Sequence, residues 1–99
     1  MKIAVPLFRN RVSPYFGASS KFLVVETEGK SIRQVSKLDI VDETPMAIST
    51  HLIRLGVEKI ICGGIQSFYK DWLIKKGVNV VDNQKGIAIK IVKESLGNG

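Results

Sequence analysis

Two short stretches hold most of the side chains able to do chemistry. Arg11-Val12-Ser13-Pro14-Tyr15-Phe16-Gly17 follows one apolar run, and Ile61-Cys62-Gly63-Gly64-Ile65 ends another. Arg9 and Arg11 are long cationic donors, and Ser13-Pro14 forces an extended or turn backbone on Ser13. Gly17 lets the chain turn without a Cβ clash. A loop of this kind leaves backbone N–H groups to face a ligand and suits an anion. Gly63-Gly64 precedes a segment that Ser67 can cap as a helix, whose N-terminus also favours negative charge. Cys62 is the single thiol, a soft donor suited to iron, copper or molybdenum. Plainer readings stand beside these. The first loop can be an ordered cover with Phe16 plugging the core, and a lone cysteine ending a buried strand is commonly a packing residue.

Other chemistries find little in the chain. No Gly-Lys-Ser/Thr or Gly-x-Gly-x-x-Gly occurs, so the glycine pair is not a recognised phosphate or dinucleotide signature. His51 sits beside the apolar stripe of its segment, where a packed helix histidine belongs, and no His/Cys pair has zinc spacing. Metal-dependent nucleases need carboxylates at strand ends, and neither Ile3–Phe8 nor Ile60–Ile65 contains one. Ser13 or Ser67 with His51 lies on no nucleophile elbow.

Ninety-nine residues make one domain, 1–99, with a single modest core. An apolar share of 44% beside 24% charged residues is that of a soluble globular chain. The apolar runs are too short for a membrane span, and the stretch before Pro6 is too short for a signal-peptide core. One cysteine forms no internal disulfide, which points to the cytoplasm. The net charge is +6, and Lys2, Arg9, Arg11 and Lys21 all precede the first acid, Glu26. Lys70, Lys75 and Lys76 form a second cluster, which solubility alone can explain.

The elements that must position the two stretches follow from periodicity. Lys2–Phe8 reads as a buried strand, with Pro6 an objection to a central position. Residues 9–20 read as a loop. Lys21–Thr27 and Ser31–Ile40 read as a hairpin about Glu28-Gly29-Lys30. Thr44 is a plausible N-cap with Pro45 at the first helical position, and Ala47, Ile48, Leu52 and Leu55 follow at helical spacing up to Gly56. Val57–Cys62 is a fourth strand. Ser67–Lys76 is a helix with Phe68 and Trp72 inward, and Tyr69 and Leu73 as further candidates. Val78–Val81 is a fifth strand, and Ile87–Leu96 favours helix over strand. The order predicts a mixed five-stranded α/β sheet, 3-2-1-4-5 in chain numbering, with flanking helices. The chain leaves strands one and four in opposite directions, opening a crevice with residues 9–17 and 63–67 as lips.

Val12-Ser13-Pro14-Tyr15-Phe16-Gly17 after an Ile-Ala-Val-Pro strand, followed by Ile61-Cys62-Gly63-Gly64-Ile65, resembles the dinitrogenase iron–molybdenum cofactor biosynthesis family. The likeness runs over nearly the whole chain. It implies a ribonuclease H-like three-layer fold without nuclease activity, and binding of an iron–sulfur or molybdenum-type cluster in the crevice. The site residues it implies are Arg9, Arg11, Ser13, Tyr15, Phe16, Gly17, Gly63 and Gly64, with Cys62 as metal ligand. Two departures stand out. The family usually shows His where this chain has Tyr15, and Asp42-Glu43-Thr44-Pro45 replaces a glycine- and histidine-rich segment. These leave open whether the family function is lost, altered, or reduced to electrostatic holding of an anionic cluster.

The leading expectation is a non-enzymatic carrier or scaffold for such a cluster, with a cluster donor or acceptor protein as partner. The alternative is a regulatory or nucleic-acid-binding module, in which Tyr15 and Phe16 stack bases amid arginines. A sensor of small anions is a third.

Overall fold

A computed structural model describes residues 1–41 and 44–97. Its strands are β1 (Lys2–Phe8), β2 (Arg11–Val12), β3 (Lys21–Glu28), β4 (Ser31–Asp39), β5 (Lys59–Ile61) and β6 (Asn79–Val81). The helices are α1 (Pro45–Arg54), α2 (Ser67–Lys75) and α3 (Ala88–Gly97), with a short 3₁₀ turn at Phe16–Ala18.

Strand alternation makes the sheet two-faced. On β1 Ala4 points to one side and Ile3, Val5 and Leu7 to the other; on β3 Phe22 opposes Leu23 and Val25 in the same way. Ala4, Phe22, Ile60 and Val80 pack with Ile48 and Leu52 of α1 and Leu73 of α2. Ile3, Val5, Val25 and Ile61 pack with Ala88 and Val92 of α3. The result is three layers, helices on both faces of a mixed sheet. Lys59 adds a polar tie, its Nζ donating to Ser95 Oγ of α3 at 2.8 Å.

The sheet order is β4-β3-β1-β5-β6, so the five longer strands stand as their sequence order predicts. β1 pairs antiparallel with β3 and parallel with β5, and β5 pairs parallel with β6. The sixth strand is a difference. Residues 9–20 are not all loop, because β2 folds back antiparallel on β1, with Leu7 opposite Val12. The pairing also answers the objection to Pro6. Its register with β5 ends at Ala4, and Pro6 O accepts instead from Ser13 N at 2.8 Å. The missing Pro6 donor therefore faces the place where β5 has stopped, and the β3 ladder loses nothing.

Local signals explain the helix ends. Thr44 Oγ1 accepts from Ala47 N at 3.1 Å, Pro45 is the first helical residue, and Gly56 follows α1 at φ 82°, in the left-handed region. Two details differ from the sequence expectation. Gln66, not Ser67, occupies the N-cap of α2. Trp72 and Leu73 face inward on α2, while Phe68 faces solvent and packs edge-on against the half-buried Tyr69 at 5.2 Å. Asp42 and Glu43, part of the segment that departs from the family pattern, lie outside the described residues. No helix among the described residues is long and apolar enough to cross a membrane.

Candidate functional site

Three backbone segments converge where β1 and β5 part. After β1 the chain reverses at Arg9-Asn10, with Arg9 at φ 58°, unusual for a residue bearing a side chain. Ser13 is buried, and its Oγ donates to Tyr15 O at 3.1 Å, which holds the loop in shape. The next residues meet the segment after β5 directly. Gly64 N donates to Pro14 O at 2.7 Å, and Phe16 N donates to Gly64 O at 2.9 Å. Together they form a parallel bridge between Tyr15 and Gly64. The predicted lips are thus stitched together across the crevice.

Gly63 is required there for space. A Cβ on it would lie 2.4 Å from Ser13 O and 2.7 Å from Pro14 O, contacts that backbone atoms cannot relieve cheaply. Gly17 has a related reason, since a Cβ on it would lie 2.8 Å from Pro45 Cγ at the start of α1.

The segment after β6 supplies a third wall. Asn83 N donates to Gly63 O at 2.8 Å and Gln84 N to Cys62 O at 2.9 Å. Val12 N donates to Gly86 O at 2.8 Å, and Ala88 N to Asn10 O at 3.0 Å. Asn83 takes φ 59°, a conformation asparagine tolerates better than most. This ring of bonds has an electrostatic consequence. The N–H groups of Val12, Ser13, Phe16 and Gly64 are spent on protein carbonyls, contrary to the expectation that the first loop turns its backbone donors to a ligand. Cationic and phenolic side chains are what the site presents.

The Tyr15–Gly64 bridge divides the crevice into two hollows. The first, of about 540 Å³, is walled by Arg11, Pro14, Gly63 and the Asn83–Gly86 turn with Lys85. The second, of about 500 Å³, is walled by Pro45, Ile65, Gln66 and Tyr69 above Phe16 and Gly17. Tyr15 borders both; it is 69% exposed and its ring lies against Gly64.

The expected site residues divide accordingly. Arg11, Tyr15, Gly63 and Gly64 meet at the first hollow, and Phe16 and Gly17 lie under the second. Phe16 is nonetheless a core residue, edge-to-face with Phe22 at 6.5 Å. Arg9 borders neither hollow and lies over the exposed Phe8 ring at 5.7 Å. Cys62 has no exposed surface and packs among Ala4, Phe16 and Ile60. Burial first, and Asp82 second, push its thiol up to about 12, against a smaller opposing effect of Lys70. Asp82 is itself paired with Lys70 Nζ at 3.1 Å. Cys62 is therefore held as a neutral thiol at physiological pH. His51 is half-buried on α1, away from both hollows. Among the described residues no three His, Cys, Asp or Glu side chains converge to hold a metal ion. The donors present suit an anion held by charge and hydrogen bonds more than a metal held by ligation.

Sequence reasoning missed Asn83 to Gly86 and Tyr69. A signal for the former existed. Asp82-Asn83-Gln84-Lys85-Gly86 is a turn-rich run after the last parallel strand, the same strand end on which the rest of the site is built.

Comparisons with known proteins agree with this architecture. Over 33 residues the chain is 52% identical to the protein MJ0580 of Methanocaldococcus jannaschii, a match spanning 33% of this chain and 28% of that one. The crystal structure of the protein PH0822 superposes with a TM-score of 0.93 at 23% identity, over 99% of this chain and 90% of the other. A candidate dinitrogenase, MJ0327 of Methanocaldococcus jannaschii, gives a TM-score of 0.78 at 15% identity, over 99% and 89%. A candidate NifB protein from Thermotoga gives 0.73 at 20% identity, over 99% and 88%. At such identities the three structures share the fold. The family described as dinitrogenase iron–molybdenum cofactor matches residues 1–99, and the chain belongs to it.

Proposed function

We propose that the chain binds or carries an anionic iron–sulfur or molybdenum-type cluster, without catalysing a reaction on it, in the cytoplasm and between a donor and an acceptor protein. The observation that carries this reading is the first hollow. It lies at the carboxyl ends of the parallel strands, joins Arg11 to Lys85, and has no acidic side chain among its described walls. Its size falls within the roughly 300–1,000 Å³ usual for small-ligand sites.

In this reading the cluster is cargo. Arg11 donates charge-assisted hydrogen bonds from its guanidinium fork, and Lys85 adds a mobile point charge. Tyr15 covers the cargo and offers a phenolic O–H, while Ser13 keeps the loop in register and Gly63 and Gly64 permit close approach. Arg9, at the hairpin tip, adds attraction at longer range. Cys62 contributes packing. The nucleic-acid alternative gains nothing from the named relatives.

The test is anaerobic transfer of a cluster to the parent and to variants, read as bound metal per chain. Arg11→Ala should weaken binding about tenfold, or ~1.4 kcal/mol, near the low end for charged hydrogen bonds because Arg11 is exposed. Tyr15→His should tighten it by supplying an imidazole in the same place. Cys62→Ser should leave affinity unchanged in the folded fraction. If Arg11→Ala and Tyr15→His both bind like the parent, the carrier reading fails.

A further inference from the structure

The second hollow is unsuited to a cluster held by charge, because among the described residues its walls carry no charged side chain. It is instead an aromatic slot. Tyr15 and Tyr69 both line it, and the Phe68 ring packs edge-on against Tyr69 at 5.2 Å and 90°. Phe16 and Gly17 lie beneath, and Pro45 and Ile65 complete an apolar lining. Flat rings bind in such places because they bury apolar surface on rigid aromatic faces at little entropic cost. The slot is not isolated. Tyr15 and Gly64 border the cationic hollow as well, so a molecule lying across the bridge would meet both environments.

We propose that the two hollows form one bipartite site for a small organic anion bearing a planar ring, with the chemistry of a mononucleotide. The ring lies in the slot between Tyr15 and Tyr69, and the phosphate crosses the Tyr15–Gly64 bridge to Arg11 and Lys85. The anionic half rests on the reading of the first hollow given above; the aromatic half stands on the slot alone. Such a ligand would compete with cluster cargo at Arg11 and Tyr15, so occupancy of one would report on the other.

The experiment titrates the isotope-labelled full chain with adenosine monophosphate, adenosine and inorganic phosphate, following backbone amide shifts. Adenosine monophosphate should move amides on both sides of the bridge, near Ile65–Tyr69 and near Asn83–Gly86. Adenosine should move the first group alone and phosphate the second alone. Tyr69→Ala should weaken adenosine monophosphate about fivefold or more while leaving phosphate unchanged. Tyr69→Leu, which keeps apolar volume without a ring, should do the same and guards against a folding defect. Arg11→Ala should weaken adenosine monophosphate and phosphate but not adenosine. The proposal falls if neither ring compound shifts the slot, or if the nucleotide binds both Tyr69 variants like the parent. Cluster transfer to Tyr69→Leu separates the two readings. In that variant, parental cluster loading with weakened nucleotide binding supports both readings. In the parent, cluster loading with no ring binding removes the bipartite site and leaves the carrier reading, and ring binding without cluster loading does the reverse.

Discussion

A single methyl group at Gly63 is the sharpest probe of how the crevice is built. Gly63→Ala would press a Cβ onto two carbonyl oxygens of the Ser13-Pro14 segment, one of them 2.4 Å away. The expected loss is about 1–3 kcal/mol of stability, as for other overpacked positions. A denaturant titration measures it, and amide shifts should spread through residues 13–16; an unchanged midpoint would mean the two segments are not in contact. Cys62 supplies a pH-dependent counterpart. Burial pushes its thiol from an ordinary 9.0 up to about 12, so the fold favours the neutral form. That contribution is complete below pH about 9 and is lost as pH rises toward 12. Melting temperature measured across this range should fall more steeply in the parent than in Cys62→Ala, in which this titration is absent. At neutral pH the thiol should resist alkylation until the chain unfolds.

Among the elements, α2 shows best how one residue of rotation changes what a helix offers. Phe68 and Leu73 are both large and apolar, yet Leu73 is fully buried and Phe68 is 66% exposed. Leu73→Ala should therefore cost about 2–5 kcal/mol, and Phe68→Ala no more than about 0.5 kcal/mol. Chemical denaturation of the two variants decides between this placement and one with Phe68 inward, for which the costs would be comparable. The orientation has a functional side. With Leu73 inward, Tyr69 is turned toward the crevice, and the exposed Phe68 becomes its support.

The whole molecule closes on two apolar layers, one on each face of the sheet. Chelator-treated protein should keep a single cooperative thermal transition at the temperature of the untreated sample. A collapse to an unfolded chain would show that metal carries folding energy, as it does in structural metal sites. The same architecture explains why the site lies where it does. β5 is only three residues long beside a seven-residue β1, so β2 and the turn after β6 fill the space past its end. The vacancy at a short strand's end is where the three segments gather.

Much of this was readable from residue order. The continuous apolar runs Ile3–Leu7 and Phe22–Val25 point to strands buried on both faces of the sheet, because neighbouring side chains must point opposite ways. Thr44-Pro45 and Gly56 dictate the ends of α1, since a hydroxyl acceptor, a fixed φ and a missing Cβ act locally. The strand order followed from connection rules, and the family was legible in two motifs. What residue order did not determine depends on distant atoms. Cys62 looks like a donor beside a glycine pair, and only its burial in the layer with Phe16 and Ile60, with Asp82 nearby, makes it a neutral core thiol. The backbone of the first loop looks open, and only the carbonyls of Pro6, Gly64 and Gly86 consume its donors. Lys85 and Tyr69 carry no local mark of a site. They enter it because the sheet brings the end of β6 and the start of α2 to the same gap, a long-range placement that pairing and packing alone decide.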